Sequence, residues 1–293
     1  MAGSSRCERS TFSHKVGYPT DAAVDECLYA LGSRGGALSE RNPHPCGNWP
    51  DRPGEESALT NKYGPADNAL LASLPPADFK LLSPHLRTVS LDQGVLLAEA
   101  GDEVDTVHFP HTGMISLLAV MKDGRAVETS TVGSDGVVGA MAGLGLHVAM
   151  VRTVVQLPMS LSQVSAVQFR KAVAASETLR NLCVRYNEVL LAQSRITAGC
   201  NALHSLEARL CRWILQSRRY TDGDVVPLTQ EFLAEMLGVR RTSVTDVAKS
   251  LQNEGLIHYS RGIIEIVSGK GIAARACECH QAIGTATALL MRS

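Results

Sequence analysis

The chain has 293 residues, 45% of them hydrophobic, and a formal net charge of −1. This length favours two domains with packed cores, and the balanced charge excludes a globally basic protein, so any DNA-binding surface must concentrate its positive charge locally. No apolar run approaches the roughly 20 residues that cross a bilayer, and the N-terminus lacks the apolar segment of a secretory signal. We therefore expect a cytoplasmic protein with no membrane partner.

The first 64 residues differ in composition from the rest of the chain. They are rich in Ser, Gly, Pro and polar residues and show little periodicity, so we predict a disordered or loosely ordered extension over 1–64. Cys7, Cys27 and Cys46 lie about 20 residues apart, which favours unligated thiols over a metal site.

Residues 65–175 are predicted to form a β-roll. A helical segment from Asp67 to Leu86 precedes several short strands, which glycines separate at intervals of about 8–12 residues. Asp123-Gly124 is a strong hairpin signal, typical of a type I′ turn. Many short strands with glycine turns indicate a β-barrel or jelly-roll-like domain.

The longest helical pattern covers residues 176–206. Its apolar positions step alternately by four and three residues, as in the a and d positions of a coiled coil. One interpretation is a helix lying on the β domain. The polar Gln193 in the middle of the stripe favours the other, a helix that pairs with a second copy of the chain. The predicted dimer seam is Leu182, Tyr186, Val189, Gln193, Ile196, Cys200 and Leu203.

Residues 207–270 contain a helix-turn-helix followed by a two-stranded wing. Thr229 is a good N-cap, and Gly238 suits the end of the first helix because it adopts a left-handed conformation without steric cost. A second apolar stripe begins at Val244. An Arg261-Gly262 turn between two short apolar runs predicts the wing.

The outward side of the second helix carries hydrogen-bond donors near its N-terminus. An ordinary helix pair in another core would not require such a cluster, whereas Arg, Lys, Thr and Ser suit base edges and phosphates. The predicted DNA-facing residues are Arg240, Arg241, Thr242, Ser243, Thr245, Asp246 and Lys249.

Residues 271–293 are predicted to form a helical tail. They contain the tightest set of soft metal ligands in the sequence, Cys277, Cys279 and His280. Paired CxxC knuckles are absent, so no structural metal site is predicted, and these three residues are only weak candidates.

The order of a β-roll, a long helix and a winged helix-turn-helix resembles the Crp/Fnr family of bacterial transcription regulators. The resemblance rests on LLAEAGDEVDTVHFPHTGMISLL (96–118), on the glycine-rich stretch 133–145 and on the segments within 207–257. It implies an α+β fold, a homodimer bound to double-stranded DNA, an effector sensed in the roll, and RNA polymerase as a further candidate partner.

The resemblance carries over unevenly to the base-reading positions. The family opens its recognition helix with Arg and Glu and places another Arg one turn later. Arg241 matches the first of these positions, whereas Thr242 and Asp246 replace the other two. Asp246 could accept a hydrogen bond from a cytosine amino group or pair with Arg241 or Lys249, so the family's usual DNA site is not expected.

The effector site departs further from the family. Cyclic-nucleotide-binding members carry a Glu after a Gly of the roll and an Arg-Ser or Arg-Thr pair for the phosphate. Here Ala140 follows the Gly, Ala149-Met150 aligns with the pair, and Arg152-Thr153 fits only with a shortened loop. Cyclic AMP binding is therefore not expected, and the cofactor is unknown. For haem, nothing in the sequence gives a ligand role to His85, His108, His111 or His147.

The sequence thus predicts a sequence-specific DNA-binding regulator. The alternative is a ligand or redox sensor that acts through protein contacts. An enzyme is not expected, because no nucleophile–base set, phosphate-binding loop or HExxH motif is present.

Overall fold

The computed structural model describes residues 63–221 and 223–292, which fall within one structural unit. The predicted extension lies outside the described residues except for 63–64, as do Cys7, Cys27 and Cys46. The described chain forms a β-roll, a long helix, a winged domain and a helical tail, so the predicted α+β class is confirmed. Its helices include none that is long and apolar enough to span a membrane.

The roll is made of two antiparallel sheets. Its strands in the described chain are β1 (Arg87–Leu91), β2 (Leu96–Ala98), β3 (Thr106–Pro110), β4 (Met114–Val120), β5 (Ala126–Val132), β6 (Arg152–Leu157) and β7 (Met159–Ser165). One sheet has the order β1-β7-β3 and the other β2-β6-β4-β5. The apolar residues between the sheets form the core of the roll.

Short helices precede and follow the strands of the roll. Two short helices, α1 (Ala69–Ala72) and α2 (Pro76–Leu82), precede it, and α3 (Ala166–Ala175) follows it. Phe109 of β3 and Phe169 of α3 pack edge to face, with their ring centroids 6.0 Å apart. This contact fixes α3 against the sheet that contains β3.

The turn between β4 and β5, at Asp123-Gly124, is not the predicted type I′ turn. A type I′ turn needs a positive φ at both central residues, but only Gly124 has one. The Asp123 carboxylate instead accepts hydrogen bonds from the backbone N–H of Arg125, at 3.1 Å, and from its guanidinium. These bonds hold a loop that is longer than two residues.

The long helix α4 spans Glu177–Leu203, and α5 (Leu206–Arg218) follows after a break at His204. The Ser176 and Ser205 side chains cap the two helices by accepting hydrogen bonds from backbone N–H groups in their first turns. The Ser205 cap therefore starts a new helix directly after the break at His204.

The winged domain is a small sheet packed against two helices. It consists of β8 (Val225–Pro227), α6 (Gln230–Leu237), α7 (Arg241–Asn253), β9 (Ile257–Ser260) and β10 (Ile263–Ile266), with sheet order β8-β10-β9. The tail forms α8 (Gly269–Arg275) and α9 (Cys279–Arg292).

The winged domain and the roll share one hydrophobic cluster. Met114 and Leu118 of β4 belong to the same buried group as Trp213 and Ile214 of α5. The Gly238 turn also lies against Val127 of β5: a Cβ atom on the glycine would stand 3.3 Å from a methyl carbon of that valine. The winged domain is therefore packed on the β4–β5 side of the roll.

Candidate nucleic-acid interface and effector cavity

The helix-turn-helix is built from local signals. The Thr229 hydroxyl accepts a hydrogen bond from the Phe232 N–H at 3.2 Å and caps α6. Gly238 ends α6 with φ +63°, and Arg240 is the first residue outside α7. Val244, Ala248 and Leu251 bury one face of α7. The opposite face is thereby directed to solvent.

The solvent-directed face of α7 carries the predicted DNA-facing residues. Ser243 and Thr245 are half-buried, and the others are exposed: Arg240, Arg241, Thr242, Asp246 and Lys249. Four of these seven side chains lie at or next to the N-terminus of α7, where the free backbone N–H groups favour an anion such as a DNA phosphate.

Two contacts hold this surface to α6. The Arg241 guanidinium lies 2.8 Å from the Glu231 carboxylate, and the Thr245 hydroxyl donates to the Gln230 side chain at 2.7 Å. Of the two roles considered for Asp246, the structure does not show the ion pair with Arg241 or Lys249, since Asp246 forms no ion pair within the described residues. Its carboxylate is thus available to a hydrogen-bond donor on DNA.

The wing tip was not among the predicted DNA-facing residues. Arg261 and Gly262 form a two-residue turn with φ values of +50° and +78°, as a type I′ turn requires. Arg261 is the one non-glycine residue with a positive φ in the described chain, and it is exposed. The Arg261-Gly262 pair between two short apolar runs could have been used to predict that the wing also presents a basic side chain to DNA.

A cavity of about 400 Å³ lies inside the roll and extends to α4. Its wall is mostly apolar, and its only charged lining residues within the described chain are Glu103 and Asp105. The cavity therefore contains no cationic side chain to balance a phosphate.

The positions that align with the phosphate-binding residues of cyclic-nucleotide-binding proteins do not bring a cation into the cavity. Ala140, Ala149 and Met150 line the cavity, and the Met150 side chain is also largely exposed to solvent. Arg152, the remaining candidate, is not a lining residue, and its guanidinium lies 2.9 Å from the Glu99 carboxylate. Of the Arg152-Thr153 pair, only Thr153 lines the cavity.

The histidines of the roll fall into different environments. His108 lines the cavity, and burial lowers its pKa to about 4, so its imidazole is neutral. His111 is buried between two serine hydroxyls of β7, at 2.9 Å from Ser162 and 3.3 Å from Ser160. His85 and His147 are exposed. Only His108 is placed to contact a ligand in the cavity.

The predicted dimer seam lies largely inside the protomer. Of its seven residues, Leu182, Tyr186, Val189, Gln193 and Cys200 are buried by the chain itself. The Gln193 side chain accepts a hydrogen bond from the Thr131 N–H of β5 at 3.2 Å. The polar residue that favoured self-pairing therefore bonds to the roll, as in the alternative interpretation of a helix lying on the β domain.

A different stripe of α4 is exposed. It also steps by four and three residues and consists of Val184, Glu188, Leu191, Arg195, Ala198 and Ala202. Val184 is 49% exposed and Leu191 37% exposed, which is high for branched apolar side chains. None of these residues belongs to the predicted dimer seam, although the stripe has the same spacing.

A buried carboxyl group links the roll to α5. Glu128 of β5 accepts hydrogen bonds from Ser116 at 2.6 Å and from the indole N–H of Trp213 at 2.9 Å. Burial raises its pKa to about 7, against the opposing effects of these bonds and of Arg212. Its protonation state therefore changes near neutral pH.

Cys277 and Cys279 lie close to two residues that the sequence did not connect with them. Their sulfur atoms are grouped with those of Cys200 and with the imidazole of His204, and the four ligand atoms lie within 4.8 Å of one another. His280, the predicted third member, is not part of this group. It lines a separate cavity between α4, α5 and α9.

Two family models match the chain. Residues 88–176 match the cyclic nucleotide-binding domain, and residues 208–275 match the Crp-like helix-turn-helix domain. No curated protein sequence is significantly similar to the chain.

Solved structures show the same fold at low sequence identity. A Crp/Fnr-family regulator from Eubacterium rectale is 19% identical over 71% of this chain and 98% of its own, with a TM-score of 0.57. FixK2 from Bradyrhizobium japonicum is 12% identical over 66% and 98%, with a TM-score of 0.56. The c-di-GMP-responsive regulator CLP from Xanthomonas campestris is 18% identical over 66% and 99%, with a TM-score of 0.53.

The first matched domain corresponds to the roll and the second to α5 and the winged domain, and the long helix lies between them. The chain is therefore a transcription regulator of the Crp/Fnr family, with a cyclic-nucleotide-binding-type roll joined to a Crp-like helix-turn-helix domain.

Proposed function

We propose that the chain is a homodimeric regulator that binds a specific DNA sequence and senses, in its roll, an effector other than cyclic AMP. The observation that carries the DNA-binding part is the exposed donor cluster at the N-terminus of α7. Arg240, Arg241 and Thr242 project from a helix end whose opposite face is fully packed. A helix presented in this way can enter the major groove, and the Arg261 wing tip adds a basic group beside it.

The base-reading set favours an unusual half-site. Arg241 suits a guanine, while Thr242 has no charge and Asp246 is an acceptor that could take a cytosine amino group. The Arg241–Glu231 pair is largely exposed on both sides. DNA can therefore replace Glu231 as the partner of Arg241 at small cost.

The exposed stripe of α4 supports dimerisation. Its heptad spacing matches that of helices paired side by side, and Val184 and Leu191 would supply apolar contacts to the interface. This proposal keeps the predicted role of α4 but moves the contact from the predicted seam to the stripe that the protomer leaves uncovered.

The charge of the roll cavity supports an effector without phosphate. An anion placed beside Glu103 and Asp105, with no guanidinium in the wall, would lose its hydration without compensation. The same argument applies to cyclic di-GMP, to which the Xanthomonas campestris regulator responds. The apolar wall and the neutral His108 imidazole suit a small, largely apolar ligand with one hydrogen-bonding group.

Selection from a pool of random duplexes tests the DNA-binding proposal. We expect enrichment of a two-fold sequence whose half-sites are one helical turn apart, or a multiple of it. The second candidate, a sensor that acts through protein contacts, predicts that no motif is enriched. An enriched motif without two-fold symmetry would contradict the dimer while leaving DNA recognition in place.

A further inference from the structure

We propose that Cys200, His204, Cys277 and Cys279 form a binding site for a tetrahedral zinc ion, which fastens the end of α4 to the segment between α8 and α9. Two of these residues come from one helix end. The other two come from a segment more than 70 residues further along the chain. Nothing in the DNA-binding proposal requires this cluster, so it constitutes a separate function.

The distances between ligand atoms fit a single ion. The Cys200 and Cys277 sulfur atoms are 3.5 Å apart, and the Cys279 sulfur lies 3.6 Å from Nδ1 of His204. With zinc–sulfur bonds of about 2.3 Å, the edge of a tetrahedral site is about 3.8 Å. All four atoms lie within 4.8 Å of one another, so small side-chain movements would complete the tetrahedron.

The backbone places the ligands on two sides of this tetrahedron. Cys200 lies in the last turn of α4 and His204 directly follows the helix, so both side chains come from one helix end. Cys277 and Cys279 lie on either side of Glu278, just before and at the start of α9. Each pair can therefore bind one ion without rearrangement of a helix.

The ligand chemistry selects a soft or borderline ion. Three thiolates and one imidazole form a set that binds Zn²⁺ well, whereas Mg²⁺ and Ca²⁺ require oxygen ligands. Cys200, Cys277 and Cys279 are all buried, which suits a closed structural site with no position left for water or substrate.

A carboxylate orients the imidazole from outside the cluster. Nε2 of His204 lies 3.2 Å from the Glu278 carboxylate, while Nδ1 faces the sulfur atoms. Histidines that bind zinc commonly donate their second N–H to a carboxylate in this manner. The arrangement assigns Nδ1 as the ligand and Nε2–H as the donor.

Two buried guanidinium groups would offset the negative charge of the site. Zn²⁺ with three thiolates and a neutral imidazole carries one negative charge. Arg209 and Arg212 of α5 are buried, and the Nε atom of each lacks a hydrogen-bond partner among the described residues. Against the effect of burial, the hydrogen bond with His204 and the charge of Arg212 lower the pKa of Cys200. Burial raises the pKa of Cys277 and of Cys279, so Zn²⁺ would displace the protons of these two thiols on binding.

The site would fix the break between α4 and α5. His204 is the first residue after α4, and the Cys277 N–H donates to the Ala208 carbonyl at 3.4 Å. An ion bound to both sides would hold the tail, the end of α4 and the start of α5 at one point. The orientation of the winged domain relative to α4 would then depend on the metal.

Metal analysis of the purified full chain tests this proposal, and its readout requires no DNA. We expect one zinc per chain, retained on gel filtration, removed by a strong chelator and restored by added Zn²⁺. Added Co²⁺ should give the absorption bands of a tetrahedral thiolate-rich site. Cys277→Ser, Cys279→Ser and His204→Ala should each reduce the zinc content substantially; His204 is half-exposed, so its variant should fold even if a cysteine variant does not.

Matched variants separate this site from the other thiols. Cys211→Ala alters a buried cysteine outside the cluster, and a chain with Cys7, Cys27 and Cys46 all changed to Ser removes the cysteines of the extension. Both should keep their zinc. A folded wild-type chain that binds neither Zn²⁺ nor Co²⁺ would overturn the proposal. So would a Cys200–Cys277 disulfide, detected by mass, in protein purified with zinc present.

Discussion

Glu128 shows how one buried carboxyl group can make the joint between roll and winged domain sensitive to pH. Burial raises its pKa from 4.5 to about 7, so the folded chain keeps a proton that the unfolded chain has lost between these values. The folded state then binds more protons than the unfolded state, and stability falls as pH rises through this window. Above about pH 7 the loss levels off.

Glu128→Gln should remove this dependence. The amide oxygen can still accept the Trp213 indole N–H, and the amide nitrogen can donate to Ser116, without a charge to bury. Relative to the variant, the wild type should lose roughly 3 kcal/mol of its free energy of unfolding between pH 5 and pH 8. The comparison cancels groups that titrate in both proteins, such as His108, whose lowered pKa makes stability rise with pH. Denaturant unfolding followed by tryptophan fluorescence measures both. Glu265→Gln, at an exposed site, should behave like the wild type, and a similar slope for Glu128→Gln would show that another group titrates.

Arg241 is the residue on which DNA sequence preference should depend most. Arg241→Ala should weaken binding to the selected site by about 1–3 kcal/mol and relax preference at one base pair of each half-site. Its ion pair with Glu231 is exposed, so the variant should unfold like the wild type. Fluorescence anisotropy with matched and mismatched duplexes gives the affinities. Arg87→Ala changes an exposed arginine of the roll and should have no such effect; unchanged binding by Arg241→Ala would remove the assignment.

Among the elements, α4 illustrates what the sequence could and could not predict. The helix itself follows from local periodicity, as α6 follows from Thr229 and Gly238. Local periodicity does not show which face of α4 the roll covers, because two stripes of equal spacing lie on the helix. The contact of Gln193 with β5 distinguishes between them. The Cys200 cluster escaped detection for a related reason: its members meet through packing of segments far apart in the chain, and no spacing signals this.

The exposed stripe of α4 makes a prediction about assembly. Leu191→Glu places a charge in the middle of the proposed interface, so the chain should shift from dimer to monomer at micromolar concentration while its helical circular dichroism is retained. Sedimentation velocity measures the change. Val167→Glu, at an exposed apolar residue of α3, is the matched control. A wild-type monomer, or a variant that stays dimeric, would contradict this interface.

At the scale of the whole molecule, the roll should not respond to cyclic AMP. A ligand present at about 100 times its Kd would stabilise the folded chain by about 2.7 kcal/mol. We expect millimolar cyclic AMP to change neither the melting temperature nor the affinity for the selected duplex, because none of the described residues that line the cavity is a cation that could bind the phosphate. The selected duplex itself should raise the melting temperature and serves as the positive control. A saturable shift with cyclic AMP would mean that the cavity changes shape to admit an arginine.

The cluster shared by β4, β5 and α5 bears on how such a regulator could be recombined with others. A winged domain separated at the start of α5 would expose Trp213 and Ile214 to water, and the remaining roll would expose Met114 and Leu118. Neither piece would be a self-sufficient folding unit. A winged domain transferred onto another sensor would therefore need the β4–β5 surface of its own roll, or a rebuilt surface of the same shape. For the same reason, we expect substitutions on the two sides of this contact to be correlated in evolution.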